Sequence, residues 1–218
     1  MRFRVRRVAW IVVAMITSVG GCHAAAAAPC VGTDTCLQLI EASQRGTRAL
    51  SARFEQTKHL SLLAEPLVTH GRFAFRQPDQ VMWRVDDPPI TVRIDRNGIH
   101  LPDVPGMKDE VAALAPFSAM MRQLSGLFTG SLTSVRNTFD VTAAAADGTV
   151  RMHLVPRDPQ WRHTFRALDV SFAAPEWVVA AMHIEEALGD SLDIAFSDIH
   201  RNDDVANAAL DAAGARDE

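Results

Sequence analysis

The sequence predicts a mainly β chain with some α: one strongly curved antiparallel sheet or barrel, interrupted by a helical insertion and preceded by an export signal. Apolar residues recur with a period of two in run after run beyond residue 51. Short turn sequences join the runs, foremost Asn97-Gly98 and Asp147-Gly148. One segment alone, 102–130, changes to a helical period. About ten strands linked by short turns must curve or close, because a flat open sheet of that size is unusual.

The chain opens with Arg2, Arg4, Arg6 and Arg7, an apolar stretch over 8–19, and Gly20-Gly21. This is the pattern of a secretory signal peptide. The stretch is shorter than the roughly 20 residues that span a bilayer, and no later segment approaches that length. Two cleavages remain open. Val19-Gly20-Gly21-Cys22 resembles a lipobox, which would acylate Cys22 and end the signal at 1–22; cleavage within 24–28 would discard Cys22. Either one leaves Cys30 and Cys36, whose spacing ahead of a helical pattern suits a local disulfide in an oxidising compartment. No second cysteine pair or nearby histidine cluster completes a metal site, so none is expected.

Removing the signal removes four arginines and no acid, which takes the formal charge from -4 to -8. No basic patch for nucleic acid remains. About 190 residues suffice for one substantial core, so one domain over 30–202 is expected.

An amphipathic helix is predicted over 36–50 from Leu37, Leu39, Ile40 and Leu50, with Thr33 or Asp34 as N-cap. Strands follow over 51–60, 69–76 and 81–85. In these, Phe73 and Phe75 share one face and Val81, Trp83 and Val85 another single face. Ile90, Val92 and Ile94 alternate with Thr91, Arg93 and Asp95 before the Asn97-Gly98 turn. The second half gives strands over 138–143, 150–155, 167–172, 178–184 and 192–196, with turns at Asp147-Gly148, Pro175-Glu176 and Gly189-Asp190. Within 102–130, Val111, Leu114, Phe117, Met120, Met121, Leu124, Leu127 and Phe128 recur at helical spacing, and Pro116 divides the segment into two helices. A plug on the sheet's concave face and a movable lid are both open to it; the adaptable thioethers of Met120 and Met121 favour the lid. The end, 203–218, is rich in Ala and Asp without an apolar stripe and is expected to fray as a disordered tail.

A search for chemistry finds no G-x-S-x-G elbow, no H-E-x-x-H and no glycine-rich phosphate loop. The best constellation is His183 with Glu185 on one strand face, more simply a solvated face. A non-enzymatic role is expected, with no catalytic residue, metal or cofactor. Arg53, Arg72, Arg84 and Arg93 fall on polar strand faces. A solvated face is the ordinary reading there, an acidic partner or lipid headgroup the alternative.

The run Ser51-Ala52-Arg53-Phe54-Glu55-Gln56, then Gly71-Arg72-Phe73-Ala74-Phe75, Pro78 and Trp83, and the ending from Ile194 to Asn202 resemble the LolA-like lipoprotein carriers in order and spacing. The resemblance covers roughly 36–202, and Pro66-Leu67 ahead of the Gly71 strand looks most like divergent members that accompany specialised envelope-lipid pathways. It implies an incomplete, half-open antiparallel barrel of about 10–11 strands under a helical lid, enclosing an apolar cavity for acyl chains.

Within that fold the cavity is expected from Phe73, Phe75, Val81, Trp83, Val85, Ile90, Val92 and Ile94, with Phe117, Met120, Met121 and Leu124 from the lid. Ordinary core packing is the competing reading for each of these residues taken singly. Ten Phe and four Trp without any Tyr fit an apolar interior. Family members place a basic residue just before the proline to hold the lid. Here Gln77 stands there and Arg76 one residue earlier, so either a small bulge restores Arg76 as the lock or the lid is held less firmly.

The resemblance further implies a monomeric periplasmic carrier that takes an acylated lipoprotein or other envelope lipid from an inner-membrane release complex to an outer-membrane acceptor. A Cys22-anchored acceptor or lipid-sensing module of the same fold, and a periplasmic lipid hydrolase, are the competing readings.

Overall fold

Alternating side chains become ten strands in one antiparallel sheet. The computed structural model describes residues 30–100, 126–129 and 132–214. In chain order come α1 (Thr33–Gln44), β1 (Ala49–His59), β2 (Leu67–Arg76), β3 (Gln80–Val85), β4 (Ile90–Asp95) and β5 (Gly98–His100). After them come α2 (Gly126–Thr129), α3 (Leu132–Thr138), β6 (Phe139–Ala146), β7 (Thr149–Pro156), α4 (Pro159–Arg162), β8 (Phe165–Ala173), β9 (Val178–Glu186), β10 (Ser191–Arg201) and α5 (Asp204–Gly214).

The sheet order is β5-β4-β3-β2-β1-β10-β9-β8-β7-β6. Two five-strand meanders therefore meet along β1 and β10. The outer strands β5 and β6 do not pair with each other, so the structure is a half-open barrel. Asp147 and Gly148, both at positive φ (50° and 73°), make the two-residue turn between β6 and β7. One contiguous apolar core lies on the inner face, built from both meanders and from α1, α2 and α3.

The seam between the meanders is held at one end by Asn202. Its Oδ1 accepts hydrogen bonds from Arg48 N (2.7 Å) and Ala49 N (3.1 Å), and its Nδ2 donates to Gly46 O at 2.8 Å. Its own backbone N–H donates to Ala49 O. Asn202 has φ 59°, a left-handed conformation that asparagine tolerates. Just before it β10 bulges: Ser51 faces His200 but Arg53 faces Ser197, and Asp198 takes φ 51°.

Three expectations are corrected. The first helix is Thr33–Gln44, not 36–50. Gly46 interrupts it, and Ala49 and Leu50 are claimed by β1 through pairing with Arg76 and Phe75. Neither Thr33 nor Asp34 caps it; the Thr35 hydroxyl receives Val31 N at 3.1 Å. The last strand runs on past 196 to Arg201, carried by its pairing with β1.

The tail expected to fray carries α5. Asp203 Oδ1 accepts from Ala206 N at 2.8 Å as an N-cap, and Ala206 is fully buried where the helix lies against β1 and β2. No described helix is long and apolar enough to cross a membrane.

His200 couples α5 to the sheet, with Nδ1 2.8 Å from Asp203 Oδ2 and Nε2 3.3 Å from Asp198 Oδ1. The Asp203 hydrogen bond, helped by Asp198 and opposed by partial burial, raises the His200 pKa above its ordinary 6.5. A raised imidazole pKa stabilises fully below pH 6.5 and is lost as pH rises through the raised value. Hydrogen exchange of the 206–210 amides, corrected for intrinsic rates, is therefore expected to be slower at pH 6 than at pH 8.5. The difference should vanish in His200→Gln; if it persists there, another group is responsible.

Candidate functional site

The inner-face rows of β1 to β4 place the predicted cavity residues side by side. Phe73 stands opposite Trp83, Phe75 opposite Val81, Trp83 opposite Val92, Val81 opposite Ile94 and Val85 opposite Ile90. All are buried except Val85, which packs against the cluster from its margin. The other meander adds what sequence reasoning passed over, notably Met152, Val170, Phe172 and Met182. Their strands alternate as regularly as the first four, and that alternation was the signal available.

Aromatic rings form the centre. Phe54 stacks on Trp83 with centroids 4.1 Å apart, and Phe73 meets Trp83 edge-on at 5.9 Å. Phe196 of β10 meets Phe73 at 5.8 Å and Trp83 at 6.1 Å. Above them Phe128 of α2 covers Phe73 at 4.8 Å and Phe75 at 6.2 Å. Phe117, Met120, Met121 and Leu124 lie outside the described residues, as does Cys22.

The inner-face row of β1 turns polar beyond Phe54, with Gln56 and then Lys58, which forms an ion pair with Glu186 of β9. On β2 nearby, opposite Gln56, the Thr69 hydroxyl is buried without a hydrogen-bond partner among the described residues. The apolar floor thus ends at a polar margin.

Arg76 closes the β2–β3 hairpin, donating from Nε to Gln80 Oε1 at 2.8 Å. The β2 pairings with β1 and β3 run without a register shift up to Arg76, so no bulge turns it toward the inner face. The bulge route to a lid lock is thereby corrected; the lid itself lies outside the described residues. Gln77 serves the sheet, donating from Nε2 to Thr47 O at 2.8 Å. Cys30 and Cys36 are joined by a disulfide at the first turn of α1.

The outer face carries a cross-strand cluster of charged groups. His183 Nδ1 lies 2.7 Å from Asp193 Oδ1, its cross-strand neighbour, and His59 Nε2 lies 3.4 Å from the other oxygen. The carboxylate beside His183 is therefore Asp193 rather than Glu185. A direct cross-strand neighbour lies closer than the i+2 residue of the same strand. Among the described residues no group of three or more His, Cys, Asp or Glu is placed to hold a metal ion.

The family profile described as "Outer membrane lipoprotein carrier protein LolA" matches residues 45–211. No curated protein matches by sequence. Among solved structures, a LolA superfamily protein from Nitrosomonas europaea aligns at 8% identity with TM-score 0.40, covering 80% of this chain and 95% of that one. MucB of Pseudomonas aeruginosa, solved with MucA, aligns at 11% identity with TM-score 0.44, covering 80% and 59%. The lipoprotein LppX of Mycobacterium tuberculosis aligns at 11% with TM-score 0.34, covering 73% and 94%.

Gly71 permits the aromatic centre. A Cβ there would stand 2.0 Å from Arg84 O and 2.4 Å from Phe54 Cζ. Since backbone cannot yield as a side chain can, Gly71→Ala is expected to cost at least the ~1–3 kcal/mol typical of overpacking. Denaturant titration checks this, and the near-ultraviolet signal of the Phe54–Trp83 stack should weaken with it. An unchanged midpoint would show that β2 and β3 can separate freely at this point.

Proposed function

The chain belongs to the LolA family of outer membrane lipoprotein carrier proteins, and from that premise we propose that it shields acyl chains against the inner face of its half-open barrel. Its cargo is an acylated lipoprotein or related envelope lipid. It receives this cargo in the periplasm from an inner-membrane release complex and passes it to an outer-membrane acceptor.

The observation that carries this reading is how the apolar inner face is covered. Phe73 and Phe75 lie under Phe128 of α2. An acyl chain offers those rings an apolar surface equivalent to that of the Phe128 ring. Each buried methylene contributes about 0.8 kcal/mol, which makes a long exposed chain strongly unfavourable in water. A carrier must cover that surface and also release it, which suits a cover of marginal strength better than a rigid complementary pocket.

The cavity is assigned to Phe73, Phe75, Val81, Trp83, Val85, Ile90, Val92 and Ile94. The cover is assigned to Phe117, Met120, Met121 and Leu124 together with Phe128. Trp83 is then a built-in reporter. With Trp161 and Trp177 replaced by Phe in the mature protein, titration with a diacylated lipopeptide is expected to shift Trp83 emission. Phe117→Asp with Met120→Asp should weaken that binding at least ~10-fold, the loss of one to two kcal/mol of apolar contact, while circular dichroism keeps the sheet signal. Unchanged binding in the double variant would remove those two residues from the cover. Absence of binding and of any Trp83 response with acylated probes would overturn the carrier reading.

A further inference from the structure

On the outer face, opposite the aromatic centre, Arg53, Arg72 and Arg84 stand directly across from one another on β1, β2 and β3. Like charges at directly opposed positions repel, which disfavours the row unless an anion neutralises it. Arg53 has Asp198 at 3.3 Å, and among the described residues Arg84 has only Asp86, at 3.9 Å. Arg72 makes no hydrogen bond or ion pair among the described residues. The row lies along a groove of about 560 Å³ between α5 and the sheet, within the ~300–1,000 Å³ usual for small-molecule sites.

The opposite wall, α5, is apolar apart from Asp204 at its first residue; His200 and Asp198, the latter paired with Arg53, also line the groove. Val205, Ala208 and Ala209 of α5 face Met82 across the groove. Val205 is half-exposed on a helix whose neighbouring Ala206 is fully buried. Alanines rather than longer side chains leave the space open.

We infer that this groove is a second binding site, for a single-chain anionic amphiphile whose carboxylate or phosphate head sits on Arg72 and Arg84 and whose chain lies along Met82, Val205 and Ala209. Guanidinium groups bind both heads through paired charge-assisted hydrogen bonds. The apolar wall supplies the part of the ligand that a free anion lacks. Ala52 and Phe73 also border the groove, but the strand period of two sends the side chains of Arg72 and Phe73 to opposite sides of one sheet, so the head-group contacts lie on the outer face. The site does not rest on the carrier reading.

The test is a 15N-resolved NMR titration of the mature protein with dodecyl phosphate and with dodecanoate below their micelle concentrations. Dodecyl maltoside serves as the neutral chain, inorganic phosphate as the free anion, and a tetraglutamate peptide as the acidic protein mimic. Both anionic amphiphiles should shift the amides of Arg72, Arg84, Val205 and Ala209. Arg72→Gln with Arg84→Gln should weaken these shifts about 10-fold or more, the usual worth of hydrogen bonds to charged groups. Dodecyl maltoside should leave those four amides unshifted, and circular dichroism of the double variant should match that of the parent.

Ala209→Trp, which narrows the groove while keeping the arginines, should also abolish the outer-face shifts. A response to one head group but not the other would identify which acid the site takes. Shifts confined to inner-face amides, or outer-face shifts indifferent to both variants, would overturn the proposal. So would an equal response to inorganic phosphate alone. A response to tetraglutamate but to neither amphiphile would overturn it in favour of an acidic protein partner.

Discussion

The pairing of β1 with β10 is the constraint on which the rest of the structure depends. Each meander forms from local hairpins, but neither alone encloses an inner face. Joining the first strand to the last brings Phe54 and Phe196 together opposite each other, and Trp83 then packs against both. This contact spans most of the chain, so its loop-closure entropy must be offset by strong local terms. Asn202 supplies one, satisfying three backbone groups of the 46–49 segment with one side chain. Gly71 supplies another by clearing space for the Phe54 ring.

The same seam decides what happens on the outside. The bulge near Asp198 advances β10 against β1 and brings Asp198 beside Arg53 and His200 beside Asp203. The cap of α5 is thus built on an irregularity of the last strand. Once α5 is seated, Ala74 and Met82, directly opposed on the outer rows of β2 and β3, are buried. Those two apolar residues among the arginines are explained by the helix above them.

Strands were the most legible part of the sequence because a half-buried strand writes its burial into every second residue. Phe73 and Phe75, or Ile90, Val92 and Ile94, could be placed on one face from spacing alone. The helix ends were less legible. Leu50 fits a helical stripe as well as a strand, and only its pairing with Phe75 assigns it to β1. The segment containing α5 was misread for a related reason. Its alanines form no apolar stripe, and its order comes from the Asp203 cap and from a single buried methyl at Ala206. The outer-face groove was illegible because it exists only between that helix and the sheet. Its one trace was Met82, an apolar residue on a face otherwise occupied by Arg84 and Gln80.

A chain whose strands must serve two faces has an advantage for carriage. With a period of two, the inner row can be uniformly apolar while the outer row is charged, and a change in one leaves the chemistry of the other intact. Carriage also needs binding and release to lie close in free energy. Phe128 and an acyl chain offer Phe73 and Phe75 much the same kind of contact, so exchanging one for the other alters the buried apolar area little. On the carrier reading, the direction of transfer is then set by whichever membrane partner binds the chain more strongly, and the barrel itself holds cargo without committing it.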